Sequence, residues 1–265
     1  MSYAHVMLRC MRAFFLRSPR PVAAIIALVL SLAVAGCGSS KDDLLVSAAT
    51  SLKAGFTDYG GQFDSANVQF SFAGSDELAA QIRSGAKPDV FAAANTKLPN
   101  QLYKEGKVEK PQVFATNRLV LAIPAKGTKV RSIDDLAKRG VKIAIGSASV
   151  PIGSYTRKVL ARLSPAKRKA ILANVRSSEP DVGGISAKLT QGAVDAGFLY
   201  VTDVKATNGR LLPIALPAKL QPEVVYGVAI VKGAKNRSAA KKFVDGLLRG
   251  DGAAALGRAG FAPPP

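Results

Sequence analysis

From residue 44 onward, short apolar runs alternate with segments in which apolar residues recur every three or four positions. The runs predict buried strands, and a spacing such as that of Leu52, Phe56 and Phe63 predicts a helix with one buried face. The predicted strands are residues 44–49, 68–72, 89–94, 118–123, 141–145, 196–200 and 224–231. The predicted helices are residues 51–63, 75–83, 96–105, 132–138, a helix opening at Pro151, and residues 166–174, 182–191, 238–248 and 252–259. Such strand–helix alternation predicts an α/β protein with mostly parallel sheets flanked by helices.

Two such units follow one another, and the last segments are expected to rejoin the first unit. We therefore predict two lobes: lobe 1 from residues 44–118 and 219–262, and lobe 2 from residues 119–218, with residues 263–265 as a tail. Ligands of open α/β sheets bind at the carboxyl ends of the strands, next to helix N-termini. A cleft between the lobes is thus the expected binding site.

The first 43 residues have a different pattern. Four arginines and no acidic residue precede an uncharged stretch, residues 21–36, and the small residues Ala35 and Gly36 stand directly before Cys37. This order is typical of a secretory signal, and the stretch is shorter than the roughly 20 residues that span a bilayer. The end of the stretch resembles the lipobox of bacterial lipoproteins. That resemblance implies a signal peptide over residues 1–36, a lipidated Cys37, a tether over residues 37–43, and a protein secreted and anchored on the outer face of the cytoplasmic membrane.

Cysteine and histidine usage narrows the chemistry. The only histidine is His5, and the two cysteines are Cys10 and Cys37, so the predicted mature chain has no imidazole and no disulfide. Histidine-based triads and typical zinc sites are therefore excluded. An extracytoplasmic enzyme that uses the carboxylates of Asp76, Glu77 or Asp89 remains an alternative to a binding protein.

The chain is strongly basic. It has 37 Lys and Arg against 18 Asp and Glu, and loss of the four signal arginines lowers the net charge from +19 to +15. A positive charge of this size is compatible with nucleic-acid binding. The basic residues are scattered, however, without aromatic interleaving, so we expect a solvated basic surface and no nucleic-acid partner.

Three strand-to-helix turns carry the candidate binding chemistry. They span residues 47–52, 71–78 and 147–153, and each places hydroxyls at the start of a predicted helix. The first backbone N–H groups of a helix lack internal partners and lie at the positive end of its dipole, which makes an anion site without charged side chains. Each serine alone is also explained as an ordinary N-cap. Together the turns predict a site for an anion or another polar ligand.

A resemblance to a known family sharpens this prediction. The stretches that carry it are Ala48-Ala49-Thr50-Ser51-Leu52, Ser71-Phe72-Ala73-Gly74-Ser75, Leu78-Ala79-Ala80-Gln81-Ile82, Gly85-Ala86-Lys87-Pro88-Asp89-Val90-Phe91, Asn117-Arg118-Leu119-Val120, Val150-Pro151-Ile152-Gly153-Ser154-Tyr155, Asp181-Val182, Gly197-Phe198-Leu199-Tyr200 and Thr202-Asp203. In this order they resemble the periplasmic molybdate-binding proteins of ABC importers, across about residues 44–262. The resemblance implies a two-lobed periplasmic-binding-protein type II fold with the ligand in the cleft.

The same resemblance assigns the site residues. Ser51 and Ser75 are expected to donate from hydroxyl and backbone N–H, Ile152 and Val182 from backbone N–H, and Tyr200 from its phenol. The implied ligand is molybdate or tungstate, bound as an oxyanion without direct protein–metal coordination and without a cofactor. The implied partners are an ABC permease and its ATPase, and the protein is expected to be a monomer. A pocket that only donates hydrogen bonds suits a fully deprotonated oxyanion and rejects a protonated one.

The chain departs from the family pattern in two places, and other functions stay open. Gly183-Gly184 stands where family members often carry an arginine, and Thr50 replaces a common alanine. Tyr155 and Tyr226 are expected to be packing residues. Sulfate or another small ligand on the same fold is the nearest alternative. A ligand-sensing module is a further one, against which the lipobox counts.

Overall fold

The computed structural model describes residues 42–265 and contains ten strands and nine α-helices in that range. The strands are β1 (Asp43–Ala49), β2 (Asn67–Ala73), β3 (Val90–Ala93), β4 (Gln112–Asn117), β5 (Leu119–Pro124), β6 (Ile143–Gly146), β7 (Val175–Glu179), β8 (Ala196–Tyr200), β9 (Leu211–Ala215) and β10 (Val224–Ile230). The helices are α1 (Lys53–Gly61), α2 (Ser75–Arg83), α3 (Lys97–Lys104), α4 (Pro151–Ala161), α5 (Pro165–Ala173), α6 (Val182–Thr190), α7 (Val201–Lys205), α8 (Arg237–Leu248) and α9 (Asp251–Ala259). Short 3-10 turns cover Thr50–Leu52, Asp134–Ala137 and Ala218–Leu220.

The strands form two five-stranded sheets with the same internal plan. The first has the order β2-β1-β3-β10-β4 and the second the order β7-β6-β8-β5-β9. In each sheet the first three strands pair in parallel, and the fourth runs antiparallel to both of its neighbours. The predicted two-lobed α/β fold is therefore confirmed. We call the first sheet with α1–α3, α8 and α9 lobe 1, and the second sheet with α4–α7 lobe 2.

Two stretches of chain connect the lobes. One is the single residue Arg118 between β4 and β5, and the other is residues 216–223 between β9 and β10. The strand β10 thus returns to the first sheet, where it lies between β3 and β4. The turns after β1, β2, β6 and β7 line one cavity between the lobes, so the 3-10 turn that leads into α1 and the starts of α2, α4 and α6 meet there.

The apolar runs predict the central strands well, whereas three strands escape prediction. The missed strands β4, β7 and β9 are all edge strands. β7 reads VRSSE with no fully buried residue, and β9 contains Pro213, which a central strand does not tolerate. The predicted helix over residues 132–138 is only the 3-10 turn Asp134–Ala137.

One apolar cluster runs through both lobes, and a second lies in lobe 1 around Leu78, Phe91 and Leu102. In lobe 1 the ring of Phe56 packs against those of Phe114 and Phe243, with centroids 5.9 and 5.7 Å apart, which joins α1 to β4 and α8. In lobe 2 the fully buried Phe198 and Leu199 of β8 lie at the middle of the sheet. No helix within residues 42–265 has the length and apolarity needed to cross a membrane.

Candidate functional site

A small cavity lies between the lobes where the turns meet. The space open to the centre of a water-sized sphere is about 20 Å³, so the cavity is small. Its lining consists of Ala49, Thr50, Ser51, Ala73, Gly74, Ser75, Ala94, Val150, Pro151, Ile152, Pro180, Asp181, Val182 and Tyr200. The structure therefore brings all five predicted binding residues, which are far apart in sequence, to one place.

Three of the elements that begin at the cavity have no side-chain cap. The 3-10 turn after Ala49, helix α2 after Gly74 and helix α4 after Val150 each lack a hydrogen bond from a capping side chain. In α4 the first residue is Pro151, which has no N–H, so Ile152 supplies the first free backbone donor. Uncapped N–H groups and the positive ends of the helix dipoles thus converge on the cavity, which favours an anion.

Helix α6 is capped in a way that leaves its first N–H group free. The Oδ1 of Asp181 accepts from the N–H groups of Gly183 at 2.6 Å and Gly184 at 3.1 Å. The N–H of Val182, which precedes both, takes no part in this cap. The carboxylate of Asp181 therefore orders the helix start while the Val182 N–H stays available to a ligand.

The two serines of lobe 1 are buried and held by neighbours. The Oγ of Ser75 accepts from the backbone N–H of Ala94 at 3.1 Å. The Oγ of Ser51 lies 3.0 Å from the hydroxyl of Tyr226. Because the N–H of Ala94 can only donate, the Ser75 hydroxyl keeps its own proton for another acceptor. Ser75 lines the cavity, so a ligand there can be that acceptor.

Tyr200 ends β8 with its side chain fully buried against the cavity. Of the buried side-chain oxygens and nitrogens that the structure describes, its hydroxyl is the one without a hydrogen-bond partner. Burial raises the pKa of Tyr200 well above its ordinary value, so the phenol is neutral and carries a proton to donate. An unpaired buried hydroxyl costs on the order of 1–3 kcal/mol, which a bound acceptor would recover.

The lobes touch each other across the cavity. The Oγ1 of Thr50 in lobe 1 donates to the Oδ2 of Asp181 in lobe 2 at 3.1 Å. Nearby, a β-carbon on Gly74 would lie only 2.6 Å from the carbonyl oxygen of Pro180, so a glycine is required for this approach. These contacts hold the two lobes together beside the cavity.

The start of α4 is also packed too tightly for any side chain at Gly153. A β-carbon there would overlap the carbonyl oxygen of Ser147 and lie 2.5 Å from that of Gly146. The turn after β6 therefore presses directly on the first turn of α4. This close packing of backbone on backbone holds the N–H of Ile152 in place.

A carboxylate with a shifted pKa supports Tyr200 from behind. The Oδ2 of Asp203 accepts from the backbone N–H of Tyr200 at 2.9 Å. Burial raises the pKa of Asp203 to about 7, the Tyr200 N–H opposes the rise, and the nearby charge of Asp181 adds to it. The residue that carries the phenol of lobe 2 is thus held through its backbone N–H by a carboxyl group with a pKa of about 7.

The carboxylates considered for catalysis do not line the cavity. Asp89 is buried, and its two oxygens accept from the backbone N–H groups of Leu45 and Asn236 at 2.8 and 2.9 Å, so it holds the fold together. Asp76 and Glu77 occupy the first turn of α2, where they complement the helix dipole. Within residues 42–265, no group of three or more His, Cys, Asp or Glu side chains is arranged to hold a metal ion.

Sequence reasoning missed the polar role of Tyr226 and did not assign one to Asn117. Both are buried behind Ser51 and lie outside the cavity lining. Tyr226 is a packing residue, as predicted, but its hydroxyl also contacts a site residue. No sequence signal distinguishes such a tyrosine, because only the sheet order places β10 next to the Ser51 turn. The predicted lipidation site, Cys37, lies outside the described residues.

The arrangement has a simple chemical meaning. Two hydroxyls, at least two free helix N–H groups and one phenol surround a space with no cationic side chain in its lining. The one carboxylate in the lining, Asp181, has its oxygens occupied by Thr50, Gly183 and Gly184. A compact ligand that only accepts hydrogen bonds fits this set of donors.

Known proteins resemble this chain over most of its length. Residues 44–262 match the family model described as bacterial extracellular solute-binding protein. The chain is 33% identical over 258 residues to the molybdate-binding protein ModA of Mycobacterium tuberculosis strain H37Rv, which covers 89% of this chain and 97% of that protein.

Two solved structures share the fold. The periplasmic molybdate-binding protein of Azotobacter vinelandii superposes with a TM-score of 0.75 at 24% identity, covering 84% of this chain and 100% of that chain. The sulfate-binding protein SubI of Mycobacterium tuberculosis H37Rv superposes with a TM-score of 0.73 at 17% identity, covering 84% and 87%. At these identities the likeness extends to the fold alone.

Proposed function

Since the chain belongs to the family of bacterial extracellular solute-binding proteins, we propose that it captures molybdate outside the cytoplasmic membrane and delivers it to an ABC importer. The observation that carries this proposal is a cavity between the lobes whose free polar groups are hydrogen-bond donors, with one buried phenol left unpaired. The named relative supplies the choice of molybdate among the oxyanions.

In the proposed binding mode, lobe 1 donates from Ser51 and Ser75, and lobe 2 donates from Ile152, Val182 and Tyr200. The ligand joins the lobes, because each lobe contributes only part of the donor set. Release requires the lobes to separate by a hinge motion at the two connecting stretches. The permease and its ATPase are the proposed partners that bind the closed form. Tungstate, an oxyanion of the same shape and charge, is a second proposed ligand.

Lipid attachment at Cys37 is a separate part of the proposal. It rests on the sequence around the predicted cleavage site. Replacing Cys37 by serine should release the secreted protein from the membrane fraction, whereas wild type should remain there. A Cys37→Ser protein retained with the membranes would show that the anchor lies elsewhere.

The main test is calorimetric titration of residues 38–265 with molybdate, tungstate and sulfate in separate runs. All the described contacts of the site lie within the compact unit Ser40–Pro265, so this protein keeps the cavity. We expect tight binding of molybdate and tungstate and weak binding of sulfate. Equal or tighter sulfate binding would make this protein a receptor for a different oxyanion, and no heat with any of the three would overturn the oxyanion proposal.

The site itself is tested with Ser51→Ala and Ser75→Ala. Each removes one donor to an anion, and such a loss typically costs about 1.5–3 kcal/mol, or about ten- to 150-fold in Kd. The matched control is Ser164→Ala, the same change at the N-cap of α5 outside the cavity, where Ser164 accepts from the N–H of Lys167. Unchanged molybdate affinity in both cavity variants would show that the ligand binds elsewhere.

A further inference from the structure

The hydroxyl of Ser51 is useful to an oxyanion only if its proton points into the cavity. A serine hydroxyl rotates and can either donate or accept, so its role depends on what its neighbours impose. The neighbour here is the hydroxyl of Tyr226, whose oxygen lies 3.0 Å from the Ser51 Oγ. Either of these two hydroxyls has the geometry to donate to the other. The direction is decided by a third residue, Asn117, which contacts the Tyr226 hydroxyl.

Asn117 lies behind Tyr226 with a fixed orientation. Its Oδ1 accepts from the backbone N–H of Arg118 at 2.8 Å, which turns its Nδ2 toward the interior. That Nδ2 donates to the Oγ1 of Thr202 at 2.9 Å and faces the hydroxyl oxygen of Tyr226 at 3.5 Å. An amide NH₂ group offers only protons, so it cannot accept the proton of Tyr226.

The phenolic proton of Tyr226 therefore has one acceptor within hydrogen-bond distance, the Oγ of Ser51. Tyr226 is fully buried, and burial raises its pKa well above the ordinary value, so it retains that proton. A buried hydroxyl that left this acceptor unused would forgo a hydrogen bond in a low-dielectric interior. The proton order is then Asn117 to Tyr226 to Ser51, and the remaining Ser51 proton is directed to the cavity.

We infer that Tyr226, oriented by Asn117, is a positioning residue that makes Ser51 a donor and thereby sets the site against protonated oxyanions. This inference rests on the proposed function, because it assumes that Ser51 binds an oxyanion. Ser75 has the same arrangement in an unambiguous form, since its Oγ accepts from the Ala94 N–H, which can only donate. Both serines of lobe 1 thus have an accepting position filled from behind.

The test is a double-mutant cycle on molybdate binding with Tyr226→Phe, Ser51→Ala and the double variant. We expect Tyr226→Phe to raise the molybdate Kd about fivefold when Ser51 is present and to have almost no effect in the Ser51→Ala background. An equal effect in both backgrounds would mean that Tyr226 acts by packing alone and would overturn the inference. Tyr155→Phe is the matched control, because it removes a phenol oxygen from the same aromatic cluster without touching Ser51.

Selectivity provides a readout that a structural role would not change. Inorganic phosphate carries at least one proton at pH 7, and in Tyr226→Phe the freed lone pair of Ser51 can accept it. We expect phosphate binding to be unchanged or tighter in Tyr226→Phe, so that the preference for molybdate over phosphate falls at least about fivefold. An undiminished preference would contradict the inference, whereas failure of wild type to bind molybdate would refute only the proposed function.

A measurement without ligand tests the proton direction itself. The phenol C–O stretching band differs between a donating and an accepting hydroxyl, and infrared difference spectra against Tyr226→Phe assign this band. We expect a band of a strong donor that shifts in Ser51→Ala and stays in place in Ser75→Ala. A band typical of a phenol that only accepts from Ser51 would reverse the proposed order.

Discussion

The two lobes contribute to the cavity in different ways. Lobe 1 offers rotatable side-chain hydroxyls, those of Ser51 and Ser75, and neutral neighbours hold each in place. Lobe 2 offers backbone N–H groups at helix starts and the phenol of Tyr200, and its donors are supported by the carboxylates of Asp181 and Asp203. The first half of the site therefore depends on side-chain identity, whereas the second depends on backbone position and on charge.

The largest effect is expected where backbone position matters most, at Gly153. In Gly153→Ala the new β-carbon would overlap the Ser147 carbonyl oxygen, so the start of α4 must move. Overpacking of this kind typically costs about 1–3 kcal/mol in unfolding free energy, and the shifted Ile152 N–H should weaken molybdate binding at least about tenfold. Urea unfolding and calorimetry measure the two effects.

Gly257→Ala is the control for that substitution. Gly257 lies in helix α9 with open space around its α-carbon, so alanine there should leave binding unchanged and stabilise the helix by roughly 0.5–1 kcal/mol. A Gly153→Ala protein with native stability and native affinity would show that the α4 start does not position a donor.

The second prediction separates stability from binding at Tyr200. Tyr200→Phe removes a buried hydroxyl that has no partner, so the ligand-free protein should gain about 1 kcal/mol of stability or at least lose none. Molybdate binding should fall by about 1.5–3 kcal/mol, because the phenol no longer donates. The contrast is Tyr59→Phe, since the Tyr59 hydroxyl donates to the Phe243 carbonyl at 3.2 Å and its loss should lower stability without changing affinity. Destabilisation of the ligand-free Tyr200→Phe protein would mean that the hydroxyl has a partner after all.

The third prediction concerns the charge behind lobe 2. Burial raises the folded-state pKa of Asp203 to about 7, above the value of an unfolded aspartate near 4, so the folded protein holds this proton more tightly. Asp203 therefore favours folding at pH 4, and this contribution is lost as the pH rises toward 7. Asp203→Asn keeps an oxygen to accept the Tyr200 N–H and cannot ionise. Its stability advantage over wild type in urea unfolding should be small at pH 5 and increase up to pH 8, and an advantage independent of pH would contradict the shifted pKa.

The smallest effect is expected from the contact between the lobes. Thr50→Val keeps the shape of the side chain but removes its hydrogen bond to Asp181, worth about 0.5–1.5 kcal/mol. Molybdate affinity should fall about two- to tenfold, because the closed arrangement loses a stabilising bond that the open one lacks. Thr57→Val, on the exposed face of α1, should leave the affinity unchanged. A loss of affinity in Thr57→Val as large as in Thr50→Val would show that the Thr50–Asp181 hydrogen bond does not specifically support binding.

The sequence alone predicted the central strands of the lobes and a set of candidate donors. Continuous apolar runs are required where a strand is buried on both faces, so β1, β3, β5, β8 and β10 were predictable. Edge strands have fewer neighbours and carry mixed patterns, which is why β4, β7 and β9 were missed. The donors Ser51, Ser75, Ile152, Val182 and Tyr200 were predicted from local turns and family resemblance, and their role in binding stays a prediction.

Only the tertiary structure decided how those donors are held. The return of β10 into the first sheet places Tyr226 and Asn117 behind Ser51, and the approach of the lobes pairs Thr50 with Asp181. Along the chain, 175 residues separate Ser51 from Tyr226 and 131 separate Thr50 from Asp181. A local pattern records the preference of a residue for strand, helix or turn. The direction of a hydrogen bond depends on which distant groups the packing of the sheets brings beside it.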